Sequence, residues 1–181
     1  MRRRFEPAIR RVLHFYWRFA RGMTFGVRAV VLDEANCVFL VKHSYVSGWH
    51  LPGGGVEVGE TAVQSLAREL VEEGNIVIEG TPKLHGIFFN RRVSRRDHVA
   101  VYVVREFRQL GTHKPNSEIV ATGFFGLREL PNDTTRGSRA RIREVTEGAA
   151  RSEAAAYVIP ACEAVMWCGR VRLWARIERV R

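Results

Sequence analysis

The sequence predicts an α/β fold in which helices pack on a mixed β-sheet, and three observations carry that prediction. β-Branched, apolar runs and helical patterns alternate in the order strands, helix, strands, helix. The apolar runs are bounded by turn residues, as strands are. With 181 residues and 46% hydrophobic content, the chain is long and apolar enough for one cored domain with terminal additions.

In chain order, residues 5–21 read as a basic amphipathic helix. Phe5, Ile9, Val12, Leu13, Tyr16, Trp17 and Ala20 recur at helical spacing with arginines between them, and Pro7 falls in the first turn. Strands are expected at 25–33 and 37–43, joined by the turn "EAN" as a hairpin. "SYVSGWHLPGGG" is a loop leading into a short strand and a glycine run. A helix over 61–74 follows, opened by Thr61 with Glu60 beside it. Further strands are expected at 76–79, 84–90, 98–107 and 121–127, with the arginine-rich turn "NRRVSRRD" between the second and third of these. A second helix is expected at 135–148, capped by Thr134 or Thr135. Residues 149–181 have three readings: a helical extension, a partner-binding tail, or a segment without stable structure. The domain organisation is therefore a helix over 1–22, a folded domain over 23–148 and an extension over 149–181. The 5–21 helix could dock on the domain, dimerise or lie on an anionic membrane; its aromatic stripe from Phe15 to Phe19 favours docking.

The net charge of +10, nearly all from arginine, suits anionic partners such as phosphates, nucleic acid or a membrane surface; a solvated arginine surface is the alternative. No apolar run is long enough to span a bilayer. Arginines at 10, 11, 18 and 21 interrupt the N-terminal apolar stretch and no small-residue cleavage site follows, so export is not expected. Cys37, Cys162 and Cys168 show neither zinc-site nor redox spacing; Cys37 reads as a buried thiol, and a reducing cytoplasm fits best.

The chemistry concentrates in "GGGVEVGETAVQSLARELVEEGNI", Gly53 to Ile76. Residues three and four apart share a helix face, so Glu69, Glu72 and Glu73 are neighbours whose repulsion destabilises an isolated helix. Ala62, Val63, Leu66 and Leu70 form the opposing face that can anchor to a sheet. Arg68 is the only basic residue on this helix. A hard divalent cation with oxygen ligands, Mg²⁺ or Mn²⁺, would relieve the repulsion. Gly53, Gly54 and Gly55 leave a backbone without side chains just ahead of the helix, where N–H groups could meet phosphate oxygens. Carboxylate-bound metal beside such a loop suits hydrolysis of a phosphoanhydride.

Gly54, five residues, Glu60, seven residues, then Arg68-Glu69-Leu70-Val71-Glu72-Glu73 and Ile76 resembles the Nudix box of Nudix (MutT-like) hydrolases, G-x5-E-x7-R-E-U-x-E-E-x-G-U with U a bulky aliphatic residue. "WHLPGGGVE" ahead of the box and "E-x5-FF" with "LP" downstream extend the resemblance to about 25–145. One position departs: Asn75 stands where the family has glycine, directly after Gly74. Asn tolerates a left-handed helix cap second only to Gly, so a small loss of stability is the expected consequence.

The resemblance implies an α/β/α sandwich with a mixed central sheet and a set of roles. Glu69, Glu72 and Glu73 would bind Mg²⁺ or Mn²⁺, with Glu69 or Glu72 also a candidate base. Arg68 would hold the glutamates by salt bridges, Glu60 would support the loop or the metal's outer shell, and Glu57 is a further outer-shell candidate. Glu118, six residues before Phe124, would supply a carboxylate from a distant loop. His43, His50, His85 and His98 lack metal-ligand spacing and read as structural or substrate-pocket residues. Trp49 reads as core packing, and the Arg91–Arg96 turn as a solvated hairpin or a substrate clamp.

Hydrolysis of a diphosphate bond in a nucleoside diphosphate linked to another group (ADP-ribose, a nucleotide sugar or a (d)NTP) is the leading expectation. Removal of 5′ phosphates from RNA, and a non-catalytic nucleotide- or nucleic-acid-binding module, are the alternatives. In this family, enzymes specific for ADP-ribose carry a proline about fifteen residues past the box, and dinucleoside polyphosphate enzymes a tyrosine nearby. Residues 91–94 read "RRVS", so neither marker is present. Family members often form homodimers, which the resemblance leaves open here.

Overall fold

The computed structural model describes residues 22–150 apart from Arg92. The helix expected over 5–21 and the extension beyond residue 150 lie outside the described residues. Among those described, no helix is long and apolar enough to cross a membrane.

One half of the sheet places β1 (Thr24–Val31) parallel to β6 (Asp97–Val104), with β5 (Lys83–Phe89) antiparallel on the far side of β6. In the other half β2 (Val38–His43) lies between β8 (Ile119–Phe125) and the two-residue β3 (Trp49–His50), both antiparallel to it. The segment after β3 joins the halves. Its Pro52 and Gly54 carbonyls accept from the Ala29 and Val27 N–H groups at 2.9 and 2.8 Å, and the Val56 N–H donates to Phe25 at 2.8 Å.

This arrangement corrects the expected hairpin. The Asp33–Cys37 turn does form, with Asn36 at φ 59° and the Cys37 N–H donating to the Asp33 carboxylate at 2.7 Å. Beyond it, β1 and β2 share the single bridge Leu32–Val38 and then separate. β2 is buried along almost its whole length and needs partners on both edges, so β8 takes one and Trp49–His50 the other. Residues 49–56 are thus wedged between two strands that are consecutive in sequence. Cys37, in this turn, is a half-buried free thiol rather than a buried one.

Period-two alternation assigns each strand residue to one of two cores. Val27, Ala29, Val31, Phe39 and Val41 face helix α1 (Ala62–Gly74), whose Leu66 and Leu70 are fully buried among them. Val30, Leu32, Val38 and Leu40 face α2 (Arg136–Thr146) through its Ile142. Each fully buried Leu contributes about 2 kcal/mol to docking the helix. The result is the expected α/β/α sandwich. Trp49 packs edge-on against Phe125 at 4.8 Å, as a core residue. The strand expected over 98–107 divides in two: β6 ends at Val104, and β7 (Phe107–Gln109) pairs instead with β4 (Ile76–Ile78).

Thr61 caps α1 through a reciprocal box, with Gln64 N–H donating to the Thr61 hydroxyl at 3.2 Å and Thr61 N–H to the Gln64 side chain at 2.8 Å. Val63 does not belong to the anchoring face; it is 43% exposed, and Ser65 is buried instead. The helix ends at Asn75 in the left-handed conformation, φ 52°, its N–H donating to the Leu70 and Val71 carbonyls. Gly74 is still helical, and a Cβ there would lie 2.8 Å from the Phe39 ring. Packing therefore requires glycine at 74, while the cap position tolerates asparagine. Asn75→Gly is expected to raise stability by about 0.5 kcal/mol, read by thermal denaturation, with turnover unchanged; lost turnover would give Asn75 a role beyond the cap.

Candidate active site

The site is built where α1 runs back along the glycine segment. Arg68 is its hub. Its Nη1 donates to Glu69 at 2.8 Å and Glu72 at 3.3 Å, and its Nη2 to Glu60 at 3.0 Å and to the Gly55 carbonyl at 3.3 Å. Glu60 also accepts from the Glu57 N–H at 2.7 Å. Arg68, followed by the Glu57 N–H, holds the Glu60 carboxyl below its ordinary range. One guanidinium thus offsets the mutual repulsion of three carboxylates.

The remaining carboxylates are positioned by glycine. Glu69 lies so close over Gly54 that a Cβ there would fall 2.3 Å from its carboxylate oxygen. Glu73 is nearly buried, and one of its oxygens accepts from the Gly53 N–H at 2.8 Å. Gly53 therefore turns its N–H toward Glu73 and not toward solvent. Ser65 donates to the Gly55 carbonyl at 2.9 Å, and the space where a Gly55 Cβ would stand is open. Glu72 is the most exposed of the three helix glutamates, with 59% of its side chain accessible.

Burial pushes the Glu73 carboxyl up to about 7, reinforced by Glu69 and Glu72 and opposed by the Gly53 N–H and Arg28. His43 lies 3.4 Å from Glu73, yet neither of its ring nitrogens makes a hydrogen bond among the described residues. Burial, then Arg28 and His50, press His43 down to about 4, so at neutral pH this contact is not an ion pair. The Glu73 proton is held more tightly in the folded than in the unfolded chain. Its stabilising contribution is present below the ordinary value of 4.5 and is lost as pH rises through about 7. In metal-free protein, Glu73→Gln is accordingly expected to stabilise by about 2 kcal/mol at pH 8 and hardly at all near pH 4. Denaturant unfolding at the two pH values checks this; equal effects at both would show that Glu73 is not desolvated.

Three residues outside the box face this cluster. Arg28, from the middle of β1, donates to the Leu51 and Gly53 carbonyls. Tyr45 lies beyond His43, ring centroids 5.1 Å apart, exposed on its loop. Glu118 is exposed on the loop before β8. Its carbonyl accepts from the Ser44 N–H at 2.8 Å, tying that loop to the end of β2. A cleft of about 630 Å³ opens beside His43 and Tyr45, with Lys42, Val46 and Val120 on its walls. Arg28 and Tyr45 escaped the sequence reading. The signal for Arg28 was a charge inside an otherwise apolar strand, "FGVRAVV"; exposed Tyr45 in a loop carried none. His85 pairs with Glu144 at 3.1 Å and His98 stacks on Phe89, so both lie outside the site.

Glu69, Glu72 and Glu73 offer only oxygen donors, the type a hard divalent cation takes, while the Gly55 carbonyl accepts from Ser65 and Arg68. Among the described residues, no three His, Cys, Asp or Glu side chains converge closely enough to form a ready-made cage. Arg68 instead occupies the space between the carboxylates.

Comparison with known proteins agrees with this geometry. The family model described as NUDIX domain matches residues 23–145. A MutT-like protein of Streptomyces ambofaciens is 29% identical over 139 residues, 75% of this chain and 87% of that protein. A Bacillus subtilis protein provisionally named 8-oxo-dGTP diphosphatase is 44% identical over 50 residues, which span 28% of this chain and 34% of its own length. The crystal structure of an ADP-ribose pyrophosphatase from Streptococcus suis superposes with a TM-score of 0.54 at 28% identity, covering 73% of this chain and 95% of that one.

Proposed function

This chain belongs to the NUDIX domain family of hydrolases, and from that premise we propose that it is a Mg²⁺- or Mn²⁺-dependent enzyme cleaving the diphosphate bond of a nucleoside diphosphate linked to another group. The observation that carries this reading is the carboxylate cluster itself: Glu69, Glu72 and Glu60 gathered on Arg68, and Glu73 desolvated beside them on Gly53. Such a concentration of negative charge in a chain of net charge +10 has a clear use when a cation and an anionic phosphate are to be brought together.

A bound Mg²⁺ or Mn²⁺ would neutralise phosphate oxygens and lower the pKa of the attacking water. Glu69, Glu72 and Glu73 would hold it, with Glu60 fixing the outer shell and the loop. Arg68 keeps Glu69 and Glu72 apart at fixed positions and so limits reorganisation during turnover. Water adds to one phosphorus in line as the bridging P–O bond breaks, and its proton passes to a carboxylate. Glu72, the most accessible of the helix set, is the first candidate for that role, followed by Glu69 and loop Glu118. Gly55, open on its outer side, leaves the substrate's phosphates close access to the backbone, with Gly53 and Gly54 shaping the loop beneath. Turnover in a reducing cytoplasm, and a homodimeric state, belong to the same reading.

The test is a metal-supplemented panel of ADP-ribose, NADH, nucleotide sugars, dinucleoside polyphosphates, oxidised dNTPs and 5′-triphosphate RNA. The reading expects one of the nucleoside diphosphate derivatives to be turned over fastest. The high positive charge favours RNA as the second reading. RNA turnover that exceeds the small substrates and weakens steeply with salt would replace the first.

A further inference from the structure

Arg28 interrupts an otherwise buried strand, on the β1 face opposite Val27 and Ala29, and it is only half-buried there. No ion pair among the described residues includes it. Its protein partners are the Leu51 carbonyl at 3.1 Å and the Gly53 carbonyl, both reached by Nη1. Nε and Nη2 have no acceptor among the described residues, although a guanidinium offers five donors in a planar fork. Neither nitrogen is among the buried side-chain atoms left without a partner, so this edge of the fork is open to solvent.

The position of Arg28 gives that open edge a use. Gly53 accepts from Arg28 through its carbonyl and donates to Glu73 through its N–H, so a single residue separates the guanidinium from the desolvated carboxylate. His43 touches Glu73 at 3.4 Å, and Tyr45 and His50 ring centroids lie 5.1 and 5.9 Å from His43. The charge of Arg28 is felt by Glu73, His43, His50 and Tyr45 alike, in keeping with its contact to Gly53 beside the Glu73 carboxylate. A clamp on two carbonyls needs only Nη1. The free edge of the fork is left open to an anion that the described residues do not supply.

We propose that Arg28 is a substrate-binding residue whose free guanidinium edge donates to non-bridging oxygens of a phosphate group, from β1 and across Gly53 from the Glu73 carboxylate. The proposal rests on the diphosphate-hydrolase reading above. It gives that site a cation not already engaged by carboxylates, as Arg68 is, with the planar geometry that suits phosphate better than an ammonium would.

The experiment titrates full-length, chelator-treated protein with inorganic pyrophosphate and follows the Arg28 Nε–Hε resonance, assigned by its absence in Arg28→Lys. Saturable displacement of that signal is expected, together with at least tenfold weaker pyrophosphate binding by Arg28→Gln. Kinetically, Arg28→Lys should raise KM about tenfold and Arg28→Gln about a hundredfold, with kcat changed less than about threefold. A purely structural clamp would lower the melting temperature and leave pyrophosphate affinity and KM per folded molecule unaltered; that result overturns the proposal. So does a wild-type Arg28 signal that pyrophosphate leaves in place, a readout that holds even if the variants fold poorly. A moved Arg28 signal in a protein that turns over no diphosphate would uphold the anion position and sink the hydrolase reading instead. Brisk turnover with unchanged KM in Arg28→Gln would do the reverse.

Discussion

Glu72→Gln and Glu73→Gln are each expected to lower kcat about a thousandfold while the protein remains folded. The amide keeps the size of the side chain and removes the charge. For Glu72 the only hydrogen bond affected among the described residues is the 3.3 Å bond from Arg68, on an exposed side chain, so stability should hardly change. For Glu73 the two effects run in opposite directions. Its carboxylate is disfavoured by burial, and a glutamine can still accept from the Gly53 N–H, so the metal-free variant should be more stable at pH 8 as it becomes inactive. Steady-state kinetics on the best substrate, beside thermal melts with and without Mg²⁺, separates the two. A folded Glu73→Gln variant with wild-type turnover would remove Glu73 from the chemistry.

Gly53→Ala is expected to destabilise the fold by about 4 kcal/mol or to prevent folding. Gly53 has φ 134°, where residues with a Cβ are strained, and that Cβ would lie 2.2 Å from the Val27 carbonyl oxygen. Neither partner can yield easily. Val27 sits in the centre of β1, paired in parallel register with Ala100 on its other side, and Gly53 is held from both sides by Arg28 and Glu73. Gly54→Ala makes the informative contrast. There the obstruction is the Glu69 side chain, which can swing aside, so a smaller loss of stability and a larger loss of turnover are expected. Chemical denaturation and kinetics on the pair check the distinction; equal stability losses would contradict it.

What the sequence made legible was local. The α1 boundaries follow from the Thr61 cap and the Asn75 terminus, and the glutamate cluster follows from helical spacing, because both depend on residues a few positions apart. Most of the failures were non-local. The turn after β1 looks like a hairpin because turn chemistry is encoded there, whereas the insertion of residues 49–56 between β1 and β2 depends on partners elsewhere in the chain. The expected strand at 98–107 breaks because the Glu106 carbonyl accepts from Glu79 and Gly80, beside the β4–β7 pair. Val63 fits the helix period within its error but sits one position beyond the buried stripe. At the site, the box glutamates and Arg68 were identifiable from their spacing. Arg28, His43 and Tyr45 reach it only because the wedge brings β1, the end of β2 and the glycine segment together.

The central claim is that the α1 carboxylates support metal-dependent attack of water on a diphosphate. It is tested most directly by running the best substrate of the panel in ¹⁸O-labelled water, with Mg²⁺ present and then removed by chelator. Cleavage is expected only with the metal, with one ¹⁸O in a single phosphate of the products and none in the sugar or nucleoside. Turnover indifferent to the chelator, or label outside phosphate, would contradict it.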